Sequence, residues 1–377
     1  MIDVEYLIET LVSAGVTLAV GVPCSSLGGL IAAASDHPSI HCLIAANEGD
    51  AIAIAAGAQL AGQRVLVFLQ NSGVGNAVSP LTSLISTFQL PLLMLVGWRG
   101  RPDAKDEAQH ELMGAITPSL LNMCGVETLI ADIDRWDKII ERWLDISLVA
   151  PVALLCDDQS GLNDSTLSYP LGLRAPLVKS DRSRFYGSRP TRIESLDAIV
   201  ELAPPNAAIV STTGKCSREL FTIADRPQHF YQIGSMGCAS SIGLGIALTS
   251  SRPVIIIDGD GAALMRLGAL ATIAAEMPSN LIHIVLDNET HDSTGGQPTV
   301  SHKADLSGVA EACGYPVVFS CESLDGFRTA LARSLTLCGP VFLHAKILPG
   351  SITPLARPTM TPRDVARRFS QWLCASV

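Results

Sequence analysis

The segment Ile257–Met265, IDGDGAALM, ends the apolar run Val254–Ile257 on two carboxylates interleaved with glycines. A second apolar run, Ile282–Asp287, leads into Leu286–Gly296, LDNETHDSTGG, which places Asn288 28 residues after Asp260. Short continuous runs of Val, Ile and Leu read as strands buried on both faces, as in parallel sheets. Loops at the carboxyl ends of such strands are where ligands of open α/β sheets bind. Asp260, the Asn288 amide and the Thr290 carbonyl could then surround one hard cation, since oxygen donors of this kind suit magnesium or calcium. Alone, GDG is an ordinary strand–turn–helix corner with an acidic helix start. The second strand ending in DN at this spacing favours a metal–diphosphate site, with Gly259 and Gly261 admitting the phosphates close to the backbone.

Working outward, further runs read as strands: Leu18–Val22, Val65–Gln70, Leu92–Gly97, Val152–Cys156, Ala208–Ser211 and Val341–Lys346. Helical patterns lie between them at Asp3–Ala14, Asp50–Ala61, Leu264–Glu276 and Asp325–Leu337. This alternation predicts an α/β fold with mostly parallel sheets flanked by helices. The polar, proline-containing and locally basic stretch near 161–190 breaks the pattern and reads as a linker. A shift of 188 positions lays Gly49 on Gly237, Ala51 on Ala239, Ile54 on Ile242, Gly57 on Gly245, Leu60 on Leu248, Arg64 on Arg252 and Gly73 on Gly261. Each half then runs through a small-residue helix, a basic residue, a strand and a glycine turn. Two similar domains are expected, at 1–165 and 191–377, joined by 166–190.

Hydrophobic residues make up 48% and charged residues 16% of the 377, which predicts large buried cores rather than disorder. A net charge of −10 argues against a nucleic-acid partner. The acidic start MIDVEYLIE does not read as a secretory signal, and no apolar run nears the roughly 20 residues of a membrane span. Ten cysteines without a CxxC pair point to reduced thiols in a cytoplasmic protein.

The spacing from GDG to DN resembles the thiamine diphosphate signature. AANEGDAIAIAAG (45–57) is similar to the pyrimidine-domain segment of those enzymes, where Glu48 matches the glutamate on the aminopyrimidine ring. GVPCSSL, QNSGVGNAVSPLTSL, GWRGRPDAKDEAQH, STTGKCSREL, GSMGCASSIGLGIAL and LDNETHDSTGGQP, in this order from Gly21 to Pro298, resemble the phosphonopyruvate decarboxylase family. Two departures are visible: Cys216 stands where threonine is usual, and Cys238 where histidine is usual.

The resemblance implies two thiamine diphosphate-binding domains, a pyrimidine-binding one at 1–165 and a diphosphate-binding one at 191–377. It implies thiamine diphosphate and Mg2+ as cofactors, with the metal on Asp260, Asn288 and Thr290. Cofactor contacts fall on Glu48, Thr213, Gly214, Gly234, Met236, Gly259, Gly261 and Asn288, Met236 being the apolar wedge under the cofactor. The activity implied is decarboxylation of 3-phosphonopyruvate to phosphonoacetaldehyde and CO2, with sulfopyruvate as the alternative substrate. Ser25, Asn71, Ser72, Arg99, Lys105 and Lys215, with Arg218, are candidates for its two anionic groups, where arginine offers a planar fork and lysine a point charge. Glu48, His110, His291 and Asp292 are the candidate catalytic groups, the last three as proton donors or relays. The family places each cofactor between the front domain of one subunit and the rear domain of another, which predicts a homodimer or higher assembly. An NAD-binding reading is disfavoured, because GVGNAV carries valine at the third glycine position.

Overall fold

The computed structural model describes residues 2–162 and 181–375, and the chain divides into two compact units, Met1–Leu173 and Arg174–Val377. The first unit holds six strands: β1 (Val16–Gly21), β2 (His41–Ile44), β3 (Arg64–Gln70), β4 (Leu92–Gly97), β5 (Glu127–Ile130) and β6 (Pro151–Cys156). They form one parallel sheet in the order β2-β1-β3-β4-β6-β5. The second unit holds β7 (Asp181–Phe185), β8 (Ala208–Ser211), β9 (His229–Tyr231), β10 (Val254–Gly259), β11 (Leu281–Asp287), the small hairpin β12 (Thr290–His291) and β13 (Gln297–Pro298), then β14 (Val317–Cys321) and β15 (Val341–Lys346). Its main sheet is also parallel, in the order β7-β14-β15-β11-β10-β8-β9.

The two orders are the same. Under the 188-position shift β2, β1, β3, β4, β6 and β5 fall on β9, β8, β10, β11, β15 and β14. The second sheet differs by one added edge strand, β7. The repeat in the sequence is therefore a repeat of topology. In each sheet the chain leaves one strand of a central pair for one edge and the other strand for the opposite edge. These switch points lie between β1 and β3 and between β8 and β10, and such crevices bind ligands.

Strand interiors are dry. All six residues of β4 and all seven of β11 are buried. In the first unit Leu7 and Leu11 from the helix Val4–Ser13, Phe68 from β3, Leu95 from β4 and Trp143 from the helix Trp136–Ile146 share one core cluster. Each such side chain removed from water contributes about 1.5–3 kcal/mol.

Strands invisible to the apolar reading are mostly edges. His41–Ile44 and Glu127–Ile130 are each exposed at both ends, and their sequences lack a continuous apolar run. The helix expected at Leu264–Glu276 is two helices, Asp260–Met265 and Gly268–Glu276, because Arg266 leaves helical geometry with φ −130°. The linker expected over 166–190 lies outside the described residues for 166–180. Its next residues form β7, which pairs in register with β14 and so belongs to the second sheet. Among the described residues no helix is long and apolar enough to cross a membrane.

Candidate active site

At the switch point of the second sheet lies a cavity of about 290 Å³. Its walls come from the turn after β8 (Thr212, Thr213, Gly214, Lys215), the end of β10 (Asp258, Gly259, Asp260, Gly261), Met236, and the segment after β11 (Asn288, Thr290, His291, Asp292). These positions include every second-half candidate except Arg218 and Gly234; the Gly234 N–H donates to Thr213 Oγ1 at 3.2 Å, which places it beside the wall.

The neighbouring parallel strands β10 and β11 end side by side, with Gly259 opposite Leu286. Asp260 therefore opens its helix close to Asp287. Its Oδ2 accepts from Ser301 Oγ at 3.0 Å and from Thr299 Oγ1. Burial pushes the Asp260 carboxyl up; the two hydroxyl donors oppose this, and the Asp287 charge adds to it. Asp287 behaves differently. Burial opposes its charge too, but His344 and Lys346 on the adjacent strand, each 2.8 Å away, hold it well below the usual carboxylate range. Asp287 is thus satisfied internally, while Asp260 is a buried carboxylate short of positive charge.

A divalent cation would supply that charge. Among the described residues no three acidic, histidine or cysteine side chains gather as a metal cluster. A cation here would rest on one carboxylate and neutral oxygens, the donor set from which magnesium leaves positions open for phosphate. Two further features fit a ligand. The Thr212 hydroxyl is buried on the cavity wall with no hydrogen-bond partner among the described residues. A side chain at Gly261 would strike His291 Cε1 at 2.7 Å and Met236 Cε at 3.2 Å, so glycine there keeps His291 and Met236 converged on the corner.

Asp292, expected as a proton donor or relay, is held by four hydrogen bonds. Its Oδ2 accepts from Arg192 Nη2 at 2.5 Å, Asn288 Nδ2 at 2.7 Å and the Gly350 N–H at 3.1 Å; its Oδ1 accepts from Thr290 Oγ1 at 3.0 Å. Burial alone would raise its carboxyl, but Arg192 and Thr290 outweigh that and hold it ionised. It is an anchor. Arg192 gave no signal in the sequence, where TRIE reads as an ordinary helix start, and Thr191 and Glu194 do form a capping box there. Arg218 is spent on the carbonyls of Leu355 and Ala356. Cys216 lines the cavity, and burial pushes its thiol up to about 12, so it is a neutral wall residue. Cys238 is buried at the start of the helix Ala239–Thr249 and is not among the lining residues.

The first-half candidates also gather at the carboxyl ends of strands: Ser25 after β1, Asn71 and Ser72 after β3, Arg99 after β4. Glu48 is the first residue of the helix Glu48–Leu60, with Asn47 capping the Gly49 N–H. Its Oε2 accepts from Asn76 Nδ2 at 2.8 Å. A side chain at Gly73 would lie 2.1 Å from Glu48 Oε1, so the absence of one makes room for the carboxylate.

Two substrate candidates are engaged by their surroundings. Asn71 is fully buried: its Nδ2 donates to the Arg99 carbonyl at 2.8 Å and to Thr117 Oγ1 at 3.1 Å, and its Oδ1 accepts from the Arg99 N–H. The side chain is a strut between loops. The Arg99 fork is closed by Asp106, at 2.9 Å and 2.6 Å, which holds that carboxyl far below its usual range. Only Nη1, at 3.2 Å from the exposed Ser25 hydroxyl, faces away from Asp106. Ser72 is exposed and accepts from Gln70. Lys105 is exposed on the loop after β4, and His110 is buried 3.7 Å from Glu107.

The fold and this corner define a thiamine diphosphate enzyme. Residues 3–118 match the thiamine pyrophosphate enzyme N-terminal TPP binding domain, and residues 212–345 match the C-terminal TPP binding domain. The chain is 46% identical to a phosphonopyruvate decarboxylase of Streptomyces viridochromogenes and 43% identical to that of Streptomyces hygroscopicus, over 98% and 99% of this chain and 94% of each relative. It is 33% identical to a sulfopyruvate decarboxylase of Methanosarcina acetivorans, over 98% of this chain and 97% of that one. The fold matches a thiamine diphosphate-dependent 4-hydroxybenzoylformate decarboxylase of Rhodococcus jostii RHA1 with a TM-score of 0.71 at 15% identity, over 93% of this chain and all of that one. The chain belongs to the phosphonopyruvate decarboxylase family, whose members are 2-oxo acid carboxy-lyases that use thiamine diphosphate.

Proposed function

We propose that this enzyme decarboxylates 3-phosphonopyruvate to phosphonoacetaldehyde and CO2 in phosphonate biosynthesis, with Mg2+ as the metal partner of its cofactor. The observation that carries the site is the buried, cation-deficient Asp260 beside Asn288 at the switch point of the second sheet. Over nearly the whole chain, identity to the phosphonopyruvate decarboxylases is higher than to the Methanosarcina acetivorans sulfopyruvate decarboxylase, which supports the substrate.

In this reading Asp260, the Asn288 amide oxygen and the Thr290 carbonyl hold Mg2+, and Thr213, Gly214, Gly259 and Gly261 admit the diphosphate. Met236 and the Gly234 carbonyl seat the aminopyrimidine. Bound thiamine diphosphate supplies the sink for the electron pair left by departing CO2. The protein must bind two anionic groups and deliver one proton to the carbon that lost its carboxylate. Lys215 on the cavity wall meets one anion, with Ser25 and the Arg99 Nη1 that donates to it as first-half candidates for the other. His291 on the cavity wall is the candidate proton donor, with His110 the first-half alternative. Glu48 would meet the aminopyrimidine of the bound cofactor, with its Oε2 fixed by Asn76.

The active unit is a homodimer or larger, in which Glu48 of one copy serves the cofactor held by Asp260 of another. Ten free cysteines fit the cytoplasm. Incubation with phosphonopyruvate, thiamine diphosphate and Mg2+, read by aldehyde formation, tests the activity; a higher kcat/KM with sulfopyruvate overturns the substrate. Mixing inactive Glu48→Gln and Asp260→Ala proteins tests the shared site. Recovered activity supports it, and an active monomer by light scattering overturns it.

A further inference from the structure

Arg192, buried, and Asp292, half-buried, line the cavity, and the catalytic scheme above gives them no part. Arg192 begins the helix Arg192–Leu202, 100 residues before Asp292. Its Nη1 lies 3.3 Å from Glu219 Oε1 and donates to the Gly350 carbonyl at 3.0 Å, while its Nη2 donates to Asp292. Glu219 is on the helix Lys215–Ile223, which continues from the turn after β8. Asp292 follows β11. One guanidinium therefore ties together the walls from two different strand ends.

Asp292 passes that restraint to two residues at once. Its carboxylate accepts from the Asn288 amide nitrogen and from the Thr290 hydroxyl. An amide side chain presents a carbonyl oxygen on one end and two N–H donors on the other. With its nitrogen committed to Asp292, Asn288 is left with its oxygen as the only end able to meet a cation. The Thr290 hydroxyl bond fixes the same segment, whose N–H in turn donates to Asn288 Oδ1 at 3.2 Å. A lysine at 192 would keep the charge but not the fork that reaches Glu219 and Asp292 together.

We infer that Arg192 and Asp292 form a positioning latch that holds the Asn288–Thr290 segment in its cation-binding shape, so that they set the affinity of the site for Mg2+. The inference rests on the metal assignment of the preceding section. Removal of groups that orient metal ligands commonly lowers metal affinity by about 10–100-fold.

The test titrates Mg2+ into full-length protein at fixed thiamine diphosphate and measures retained cofactor by rapid filtration, without substrate. Arg192→Lys and Asp292→Asn are expected to raise the Mg2+ concentration for half-retention by about 10–100-fold. At saturating Mg2+ their cofactor stoichiometry should equal that of wild type, while their metal-free melting temperatures fall with the ion-pair bonds they lose. Thr290→Val, which removes one hydroxyl bond from a half-buried side chain, keeps the question open to measurement if either of the others fails to fold; a rise of several-fold is expected. A folded variant whose Mg2+ curve overlays wild type overturns the latch, as does a drop in melting temperature or stoichiometry with an unmoved midpoint. Wild-type protein that retains no thiamine diphosphate at any Mg2+ concentration overturns the metal assignment and the latch together. Wild-type retention with unshifted variants overturns the latch alone.

Discussion

Gly73→Ala probes Glu48 without touching it. The native φ of Gly73 is −75°, which alanine adopts freely, so the backbone is not strained by the change. The added Cβ would lie 2.1 Å from Glu48 Oε1, 2.4 Å from Cδ and 2.5 Å from Cγ, whereas ordinary contact begins at 3.4 Å. The carboxylate must therefore retreat by about 1.3 Å, since the neighbour that gives way is the far end of a flexible, half-buried side chain. The Asn76 bond, 2.8 Å long, is lost in the process. Such a bond at a partly exposed site is worth about 1 kcal/mol, so the fold should survive with a small drop in melting temperature. Catalysis should not, because misplacing a positioned group by about 1 Å can cost about 100-fold, equivalent to about 2.7 kcal/mol of barrier. The assay is steady-state aldehyde formation at saturating thiamine diphosphate and Mg2+, with a thermal melt in parallel. We expect kcat to fall by about 100-fold while the melt moves little. A Gly73→Ala enzyme with wild-type kcat would refute the placement of Glu48 at the chemistry.

Asp260→Ala should abolish Mg2+-dependent retention of thiamine diphosphate on gel filtration; its metal-free melting temperature should hold or rise, because the change removes a buried carboxylate that desolvation disfavours. Asn71→Ala should act on stability rather than on substrate affinity: three interior hydrogen bonds disappear, costing about 3 kcal/mol, which thermal melts and KM would separate. His229, buried on β9, is pushed by desolvation from 6.5 down to about 4, so between those pH values the unfolded chain binds the extra proton. Its contribution is intact above pH 6.5 and lost as pH falls to about 4, at a cost on the order of 3 kcal/mol. Melting temperature against pH should fall through that window, and His229→Gln should flatten the slope.

Much of this protein is legible without coordinates. Unbroken apolar runs such as Val254–Ile257 and Leu92–Val96 suit only strands covered on both faces, and strands of that kind are parallel. The half-chain repeat in small residues became a repeat of strand order, because helices rich in Gly and Ala pack close against such sheets in both halves. GDG and DN pointed to the candidate cation corner because both are local: a strand end and the residues directly after it. Edge strands escaped for the opposite reason. Glu127–Ile130 and Asp181–Phe185 carry polar residues, and their strand state comes from a neighbour's backbone rather than from their own pattern. Tertiary structure also decided which polar side chains are available. Asn71, Arg99 and Asp292 look alike as candidate ligands in a string of letters. Thr117, Asp106 and Arg192, up to 100 residues away, turn them into a strut, a closed fork and an anchor. Sequence dictates what a group can donate or accept; which partner reaches it first is fixed only when distant strand ends are brought to the same crevice.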